Sequence, residues 1–301
     1  MTSFNLKVAT LNISGGQKTF EDFAHDSPQA RQDALQHLVG QIEPDVLCLQ
    51  EVSQFVDADG VSHNLVDNLK QPGKYEHFFY GKTVSMETHM QVKKDMMVEG
   101  IFNDWWNWSK GNAILSRIPF SRLSDPQRSG SPRSIPLYQP GIYEGTRDTE
   151  PRNAILARFR QLPYPFIATL HLTTLVGERR PRASRNKIGQ SHLLRHQQIQ
   201  RFLDLVRVHI LQAEQPLILT GDFNATQDEF CIRKLLEADH QFVHLTSEND
   251  VPSHNKVSRP IDHIFFYPRQ RLVDYSCRIV DEDLSRRASD HLPVVAELQI
   301  K

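Results

Sequence analysis

The sequence predicts a single α/β domain in which several strands end in polar residues. Short apolar runs alternate with helix-like segments along all 301 residues, and neither a linker nor an internal repeat divides them. Several of the apolar runs end in a carboxylate, an amide or a histidine. So many polar strand ends indicate that these ends gather at one rim, which is where α/β proteins commonly bind ligands.

The composition is that of an ordinary globular protein, with 39% hydrophobic and 24% charged residues. The formal net charge of −1 provides no global field that would attract nucleic acid, so any such binding must depend on a local patch. The three cysteines lack the spacing of a zinc site or a disulfide framework, and we expect buried thiols. Without a signal-like leader or an apolar run of about 18 residues, we expect a cytoplasmic protein that does not insert into membranes. Nothing in the sequence indicates an obligate protein partner.

The first elements are a strand, a helix and a second strand. Apolar and polar residues alternate over 4–13, which predicts a strand that delivers Asn12 to a glycine turn. Ser27 caps the following helix and Pro28 takes its first position, after which apolar residues recur at steps of four. The apolar run 45–51 predicts a buried strand that terminates in a carboxylate.

The next part of the chain is less regular. We expect a helix near 63–71, strands over 75–80 and 111–116, and a loop over 117–141, where proline, serine and arginine dominate. Residues 82–110 interrupt the pattern with methionines and tryptophans, and we interpret them as an atypical insertion that covers the core. The mixture of Trp and Asn in this insertion would also suit stacking on a base or a ring.

The second half of the chain returns to regular elements. Two apolar runs, 153–159 and 165–172, predict strands, and the second strand ends at His171. A basic loop over 173–189 leads into a predicted helix over 190–212, whose apolar residues fall on one face.

The clearest site signal follows the short apolar run 217–219. Gly221 ends this run and allows a close approach to the backbone. Asp222 and Asn224 come next, at a spacing that puts both on one side of an extended chain while Phe223 turns into the core. An Asp and an Asn after a strand are more often turn formers than catalytic residues, so this motif needs support from elsewhere.

Four elements complete the prediction. Thr226, with Glu229 three residues later, indicates a capping box at the start of a helix over 226–238. The remaining elements are strands at 261–266, near 272–280 and 294–300.

Together the strand ends carry what hydrolysis of a phosphoester requires. Carboxylate and amide oxygens suit Mg²⁺, or Mn²⁺ in its place, and a His–Asp pair supplies a general base in a fixed orientation. No thiolate or histidine-rich spacing indicates zinc. The candidate residues are Asn12, Glu51, His171, Asp222, Asn224, Asp262, Asp290 and His291.

These residues lie in motifs that resemble, in order and over nearly the whole chain, those of the endonuclease/exonuclease/phosphatase superfamily. The resemblance implies one catalytic domain over 1–301, folded as a four-layer αββα sandwich of two packed mixed sheets between helices. It is specific for the superfamily and only weakly specific for a substrate. The motifs are Thr10-Leu-Asn-Ile, Leu49-Gln-Glu, Gly111-Asn-Ala-Ile-Leu-Ser-Arg, His171-Leu, Gly221-Asp-Phe-Asn, Ile261-Asp and Ser289-Asp-His.

The resemblance also implies a metal site and a partner for one histidine. Glu51 would be the principal ligand of a Mg²⁺ ion, helped by Asn12 and by Asp290. In the deoxyribonuclease branch a glutamate pairs with the histidine at the position of His171. Residues Glu87 or Glu99 would be its counterpart in this chain.

The resemblance assigns the reaction to a second group of residues. His291, oriented by Asp262, would take the proton of the attacking water or stabilise the phosphorane. Asp222 would orient or deprotonate that water. Asn224 and His171 would hold phosphate oxygens.

These implications lead to a Mg²⁺-dependent phosphodiesterase that acts on nucleic acid or a nucleotide. A phosphatase or phosphodiesterase for inositol phosphate, phospholipid or another small phosphoester is the alternative, and an inactive binding module is disfavoured by the intact site. Arg179, Arg180 and Arg182 are candidate substrate-binding residues, because the basic loop starts soon after His171 and should leave the rim of the site. A merely solvated loop is the plain alternative for these arginines.

Overall fold

Two β-sheets pack face to face between two layers of helices. The computed structural model describes residues 3–301 except 17, 21–26, 57–58, 71–73, 86–106, 142, 238–240 and 250. One sheet has seven strands and the other has six, and both are mixed. The predicted four-layer αββα sandwich is confirmed.

The seven-stranded sheet combines the first and last parts of the chain. Its strands are β1 (Phe4–Asn12), β2 (Val46–Val56), β3 (Ser62–Asn64), β4 (His77–Ser85), β5 (Trp108–Ser116), β12 (Leu272–Ile279) and β13 (Val294–Ile300). They lie in the order β12-β13-β1-β2-β5-β4, with β3 paired to β2. At the centre of this sheet β1 and β2 run parallel.

The six-stranded sheet comes from the middle of the chain. Its strands are β6 (Arg133–Tyr138), β7 (Arg152–Arg158), β8 (Phe166–His171), β9 (Leu217–Asp222), β10 (Val243–His244) and β11 (Asp262–Tyr267). They lie in the order β10-β11-β9-β8-β7-β6, and the central pair β8 and β9 is parallel.

Three apolar cores hold the layers together. The core between the sheets includes Val8 of β1 and Ile264 of β11. A second core lies under two helices that cover the six-stranded sheet, and a third lies under two helices that cover the other sheet. The helices are α1 (Pro28–Ile42), α2 (Arg185–Val206), α3 (Phe230–Leu236) and α4 (Asp283–Ala288).

The topology brings the polar strand ends of both sheets to a common rim. Strand β1 ends at Asn12 and β9 ends at Asp222. Strand β11 runs antiparallel to β9, so its first residue, Asp262, pairs with Asp222. The packing of the two sheets then sets Asn12 against Asp222 through a side-chain hydrogen bond of 3.0 Å. The predicted gathering of strand ends is therefore present for Asn12, Asp222 and Asp262. Glu51 differs, because β2 continues past it to Val56, so the predicted end of this strand at Glu51 is wrong.

The predicted helix near 63–71 is wrong. The chain instead forms β3 and a short 3₁₀ turn over Asp67–Leu69. The backbone N–H of Asn64 donates to the Asp67 side chain, and the Asn64 side chain accepts from the backbone N–H of Val66. Such local side-chain bonds satisfy backbone groups outside a helix, which is why Asn and Asp favour turns.

The predicted loop over 117–141 contains an edge strand. Residues 133–138 form β6, which pairs with β7 at the edge of the six-stranded sheet. Pro136 argues against a strand in the sequence, but an edge strand tolerates proline because one row of its N–H groups has no partner strand.

Two helix starts differ from their predictions. Helix α2 begins at Arg185 with Ser184 as its cap, five residues before the expected start at 190, so it takes the last residues of the basic loop. Glu229 is the N-cap residue of α3 rather than the third residue of a helix, so the capping box predicted with Thr226 does not form. The carboxylate of Glu229 instead binds Arg195.

The predicted insertion at 82–110 is shorter in the structure. Residues 82–85 continue β4 and residues 108–110 begin β5. The remaining part, 86–106, lies outside the described residues, as do Glu87 and Glu99.

Two smaller expectations can be compared with the structure. All three cysteines are free and buried, as predicted. Within the described residues, no helix combines the length and the apolar character needed to cross a membrane.

The tight packing around Gly221 predicts that a larger residue at this position lowers stability. Gly221 lies in β9 at a φ of +140°, and a Cβ placed there would stand 2.0 Å from the carbonyl oxygen of Leu170 in β8. We expect Gly221→Ala to lower the free energy of unfolding by roughly 2–6 kcal/mol, because backbone strain and overpacking each cost about 1–3 kcal/mol. Urea denaturation measures this difference.

Gly189→Ala is the matched control for that substitution. Gly189 is exposed within α2, and a Cβ there would meet nothing within 4 Å. Alanine should stabilise the helix by up to about 1 kcal/mol. Equal stability of the Gly221→Ala variant and the parent would contradict the close approach of β8 and β9.

Candidate active site

The candidate residues form a mostly buried cluster at the rim. Glu51 is the most open member, with 23% of its side chain exposed, whereas the other side chains are at most about 6% exposed. Buried polar groups must be paired to be tolerated, so their contacts describe the site. The members of the cluster are Asn12, Glu51, His171, Asp222, Asn224, Asp262, Asp290 and His291.

The carboxylate of Asp222 is the centre of this cluster. Its Oδ2 accepts a hydrogen bond of 3.0 Å from Asn12 Nδ2, which belongs to the other sheet. The same oxygen lies 3.4 Å from Nε2 of His171 and 3.8 Å from Nε2 of His291. Asp222 therefore links residues from β1, from β8 and from the segment before β13.

Asn224 both forms a turn and belongs to the site. Its backbone N–H donates to Asp222 Oδ1 at 2.8 Å, and its φ is +50°. Its Nδ2 donates to the carbonyl of Leu172, which leaves Oδ1 to accept from Arg179. Phe223 between them is fully buried, as predicted. Asp222 and Asn224 can therefore form a turn and belong to the candidate site at the same time.

Glu51 occupies a strained position on β2. Its φ is +55°, at an irregularity in the pairing of β2 with β5 between Leu49 and Val52. Its Oε1 accepts from Asn12 Nδ2 at 3.4 Å, and its Oε2 lies 3.6 Å from Lys110 Nζ. Burial alone would raise the pKa of Glu51, but the positive charge of Lys110 holds the pKa well below its usual range. The carboxylate is therefore ionised at neutral pH.

His291 and Asp262 form the pair that the sequence predicts. Nδ1 of His291 lies 2.9 Å from Oδ2 of Asp262, which also accepts from Ser253 Oγ at 2.7 Å. Burial would lower the pKa of His291, but the carboxylates of Asp262 and Asp222 raise it to about 9. Asp262 therefore fixes the ring and leaves Nε2 facing Asp222.

A third histidine, His254, also belongs to the cluster. Its ring meets that of His291 edge to face, with centroids 4.4 Å apart, and its Nε2 lies 3.8 Å from Asp290 Oδ2. Burial and the neighbouring His291 lower its pKa to about 2. From the sequence alone His254 is interpreted as a structural or surface group, whereas the structure places it against His291 and Asp290.

Lys110, which is 20% exposed, and the buried Glu150 and Arg152 form a chain of charges that the sequence analysis missed. Lys110 Nζ lies 2.9 Å from Glu150, and Arg152 lies 3.4 Å from the same carboxylate. Arg152 NH1 lies 3.1 Å from His171 Nδ1. Burial and the charge of Arg152 lower the pKa of His171 to about 3. The available signals were weak, since Lys110 merely precedes a glycine motif and Arg152 only begins a strand.

The basic loop brings one of its three candidate arginines into the site. Arg179 is half-buried and donates to Asn224 Oδ1, whereas Arg180 and Arg182 are exposed. The neighbouring Glu178 anchors the loop through buried Arg195 at 2.8 Å. The rim position expected for this loop agrees with the contact of Arg179.

The donor set fits a hard divalent cation. Asp262 Oδ1 and Asp290 Oδ1 are buried, and neither has a partner among the described residues. Two groups of side chains place their ligand atoms within 4.8 Å of one another: one is His254 with Asp290 and His291, and the other is Asp222 with Asp262 and His291. Glu51, the expected principal ligand, belongs to neither group but presents an ionised carboxylate nearby.

Comparison with solved structures shows that this architecture recurs. An endonuclease/exonuclease/phosphatase from Beutenbergia cavernae DSM 12333 is 20% identical; the match covers 98% of this chain and 72% of that chain, with a TM-score of 0.63. Truncated TDP2 of Caenorhabditis elegans is 17% identical, with 98% of both chains covered and a TM-score of 0.59. The human Nocturnin catalytic domain, solved with a bound sulfate anion, is 16% identical, with 99% of this chain and 95% of that chain covered and a TM-score of 0.59. At these identities the likeness shows the fold alone.

Comparison of the sequence with known protein families shows the family to which the chain belongs. No curated protein matches the chain. Residues 9–291 match the Endonuclease/Exonuclease/phosphatase family, a span that includes every candidate site residue from Asn12 to His291. The chain therefore belongs to the endonuclease/exonuclease/phosphatase family, whose members are metal-dependent phosphoesterases.

Proposed function

We propose that the chain is a Mg²⁺-dependent phosphodiesterase that acts on nucleic acid or a nucleotide. One observation carries this proposal: Asn12, His171 and His291 all lie within 3.8 Å of the Asp222 carboxylate. Oxygen and amide groups of the kind that hold a hard cation thus surround the same point as the His–Asp pair. Metal-assisted hydrolysis can use both kinds of group together when they lie in one place.

Glu51, Asn12 and Asp290 are the residues that we expect to hold the metal ion, with Mn²⁺ as a possible substitute for Mg²⁺. Two features support this assignment: Glu51 is ionised, and Oδ1 of Asp290 is buried without a partner among the described residues. When bound, the ion polarises a phosphoryl oxygen and neutralises part of the negative charge that develops on it.

Asp222 and His291 are placed to handle the attacking water. Asp262 holds His291 through Nδ1, so Nε2 faces Asp222 at 3.8 Å. Two groups at this separation can contact the same water molecule. In this proposal Asp222 orients the water, and His291 exchanges a proton with it or stabilises the charged transition state.

We expect His171, Asn224 and Arg179 to hold phosphate oxygens. His171 directs Nε2 towards Asp222, and Arg179 reaches Asn224 at the edge of the cluster. Donors fixed before the reaction stabilise the transition state more than mobile ones do, because they need no reorganisation.

The surroundings of the cluster favour a polyanionic substrate. Arg180 and Arg182 are exposed beside Arg179, and Lys18 and Lys256 are exposed near His254. These positive charges lie on segments that adjoin the site, in a chain whose formal net charge is only −1. A local field of this kind attracts a phosphate backbone. We therefore propose nucleic acid as the partner and infer no obligate protein partner.

A phosphatase or phosphodiesterase for a small phosphoester is the second candidate. The half-buried Arg179 favours it, since one arginine beside Asn224 is enough to hold a single phosphate group. An inactive binding module is disfavoured because the carboxylates, the amides and the His–Asp pair are all present together. A panel of DNA, RNA, bis-p-nitrophenyl phosphate, inositol phosphates and sphingomyelin in Mg²⁺ separates these candidates.

The first prediction concerns the metal ligand. Glu51→Gln removes a formal charge at nearly constant shape, so we expect at least about 100-fold slower hydrolysis of bis-p-nitrophenyl phosphate, by analogy with the 10–100-fold effects of outer-shell changes. Excess Mg²⁺ should restore part of the rate. Glu297→Gln, at an exposed surface pair with Lys7, is the control and should leave the rate unchanged. A folded Glu51→Gln variant with the parental rate and Mg²⁺ dependence would show that Glu51 is not a ligand.

The second prediction concerns the His–Asp pair. His291→Ala should slow hydrolysis by roughly 10²–10⁴-fold, the range for a lost acid–base group. Asp262→Asn should cost less, because the histidine remains but loses the carboxylate that orients it. In the double variant the two effects should not add, since the residues act as a unit. His37→Ala, at an exposed position of α1, serves as the control. Independent, additive losses would contradict a coupled pair.

The third prediction concerns the exposed arginines of the basic loop. Replacing Arg180 and Arg182 by Ser should raise KM for an oligonucleotide and flatten the dependence of log affinity on log salt by roughly one to two units, at about 0.7–0.9 per phosphate contact. Hydrolysis of bis-p-nitrophenyl phosphate should be nearly unchanged. Arg179 is left intact here, because its contact with Asn224 would confuse binding with chemistry.

Arg269 and Arg271 provide a matched control for that double variant. They have the same spacing and exposure, and they follow β11 at the end remote from Asp262. Their replacement by Ser changes the net charge equally and should leave the salt slope as in the parent. If both double variants behave alike, net charge rather than the basic loop governs binding. If the replacement of Arg180 and Arg182 slows hydrolysis of both substrates equally, the loop contributes to the reaction centre rather than to substrate binding.

A further inference from the structure

The three histidines of the site differ in the group that contacts Nδ1. His291 directs Nδ1 to a carboxylate oxygen of Asp262 at 2.9 Å. His254 receives the backbone N–H of Lys256 at Nδ1, at 2.9 Å. His171 faces a guanidinium nitrogen of Arg152, at 3.1 Å. The partner of one ring nitrogen determines which nitrogen of a neutral imidazole carries the proton.

The contact with Arg152 allows only one tautomer of neutral His171. A guanidinium group has only donors and stays protonated in proteins, so Nδ1 of His171 must be the acceptor. The proton of the imidazole therefore lies on Nε2. Arg152 is 2% exposed and His171 is 5% exposed, so water does not readily replace either partner.

Arg152 is itself held in place. Its NH2 group donates to Glu150 Oε2 at 3.4 Å, and Lys110 binds the other oxygen of that carboxylate at 2.9 Å. Its strand β7 pairs with β8, the strand that ends at His171. Backbone pairing and side-chain contacts thus fix the guanidinium against Nδ1.

The opposite edge of His171 faces the centre of the site. Nε2 lies 3.4 Å from Asp222 Oδ2 and 3.9 Å from Glu51 Oε1. The N–H on this nitrogen therefore points to the region in which the proposed function sets the phosphate. We propose that Arg152 is the positioning residue of His171: it locks the Nε2–H tautomer, so that His171 binds a phosphate oxygen as a hydrogen-bond donor. This inference rests on the proposed function for the identity of the bound group.

The same logic separates His171 from His291. The carboxylate of Asp262 accepts a hydrogen bond from the N–H at Nδ1 of His291 and leaves Nε2 available for proton exchange. The guanidinium of Arg152 at Nδ1 of His171 instead requires an unprotonated Nδ1, so the proton of this ring lies on Nε2. Although two histidines flank Asp222, the inference gives only one of them, His291, a role in proton transfer.

Nuclear magnetic resonance of ¹⁵N-histidine tests the tautomer. In the parent, two-bond couplings should show His171 with a proton on Nε2 and none on Nδ1. Arg152→Met should give a mixture of tautomers, and Arg152→Lys should keep the parental one, since an ammonium also donates to Nδ1. Titration with inorganic phosphate in the parent should shift the Nε2–H signal of His171. A His171 protonated on Nδ1, or a signal that phosphate leaves unchanged, would overturn the inference.

A double-mutant cycle tests whether Arg152 acts through His171. Arg152→Met should lower kcat/KM about 10- to 100-fold, the range for the loss of one charged hydrogen bond. In a His171→Ala background the same change should have little further effect. A purely structural arginine would lower activity equally in both backgrounds, and that result would contradict the inference.

Arg158→Met is the matched control on the same strand. Arg158 is partly buried and donates to the carbonyls of Leu123 and Tyr164, away from the site. Its replacement should leave the tautomer of His171 and the activity as in the parent. The resonance measurement also separates this inference from the proposed function: a parent that hydrolyses no phosphoester refutes the function, whereas the tautomer and the phosphate shift are still decided by the spectrum.

Discussion

The site depends on a single carboxylate, Asp222, at the junction of the two sheets. Asp222 ends β9 and accepts from Asn12, which ends β1 in the other sheet, although 210 residues separate them. The apolar core between the sheets sets the distance between these strand ends. A change in the packing of the sheets would therefore alter the site directly. Conversely, the buried carboxylate requires donors from both sheets, so the site favours one packing arrangement.

The buried and partly buried charges beside the site are tolerated because their signs alternate. Glu51, Lys110, Glu150 and Arg152 follow one another in contact, and Arg152 then meets neutral His171. A buried ion pair adds little net stability, because desolvation offsets most of the attraction, but removal of one partner is costly. The chain of charges is therefore better explained by function than by stability. It keeps Glu51 ionised next to the open side of the site, and it places the guanidinium of Arg152 against His171, where we propose that it orients the ring.

Several parts of this site followed from the sequence, because the relevant information is local. An apolar run that ends in a polar residue gives both the strand and the direction of its last side chain, as for Asn12 and Asp222. Arg152 and His254 could not be found in this way, since their roles depend on contacts made across strands and loops. The errors in secondary structure have the same origin. Asn64 and Asp67 satisfy backbone groups locally, and Glu229 pairs with Arg195 of a different helix.

The basic loop shows how a near-neutral chain can combine an enclosed reaction centre with attraction for an anion. Arg179 and Arg180 are adjacent in sequence, yet one contacts Asn224 and the other is exposed. The separation arises because Glu178, held by buried Arg195, fixes the backbone just before them. Charges that are exposed influence association and its dependence on salt, whereas charges that are buried influence the reaction. Attraction of an anion and events at the enclosed centre can then vary independently of one another.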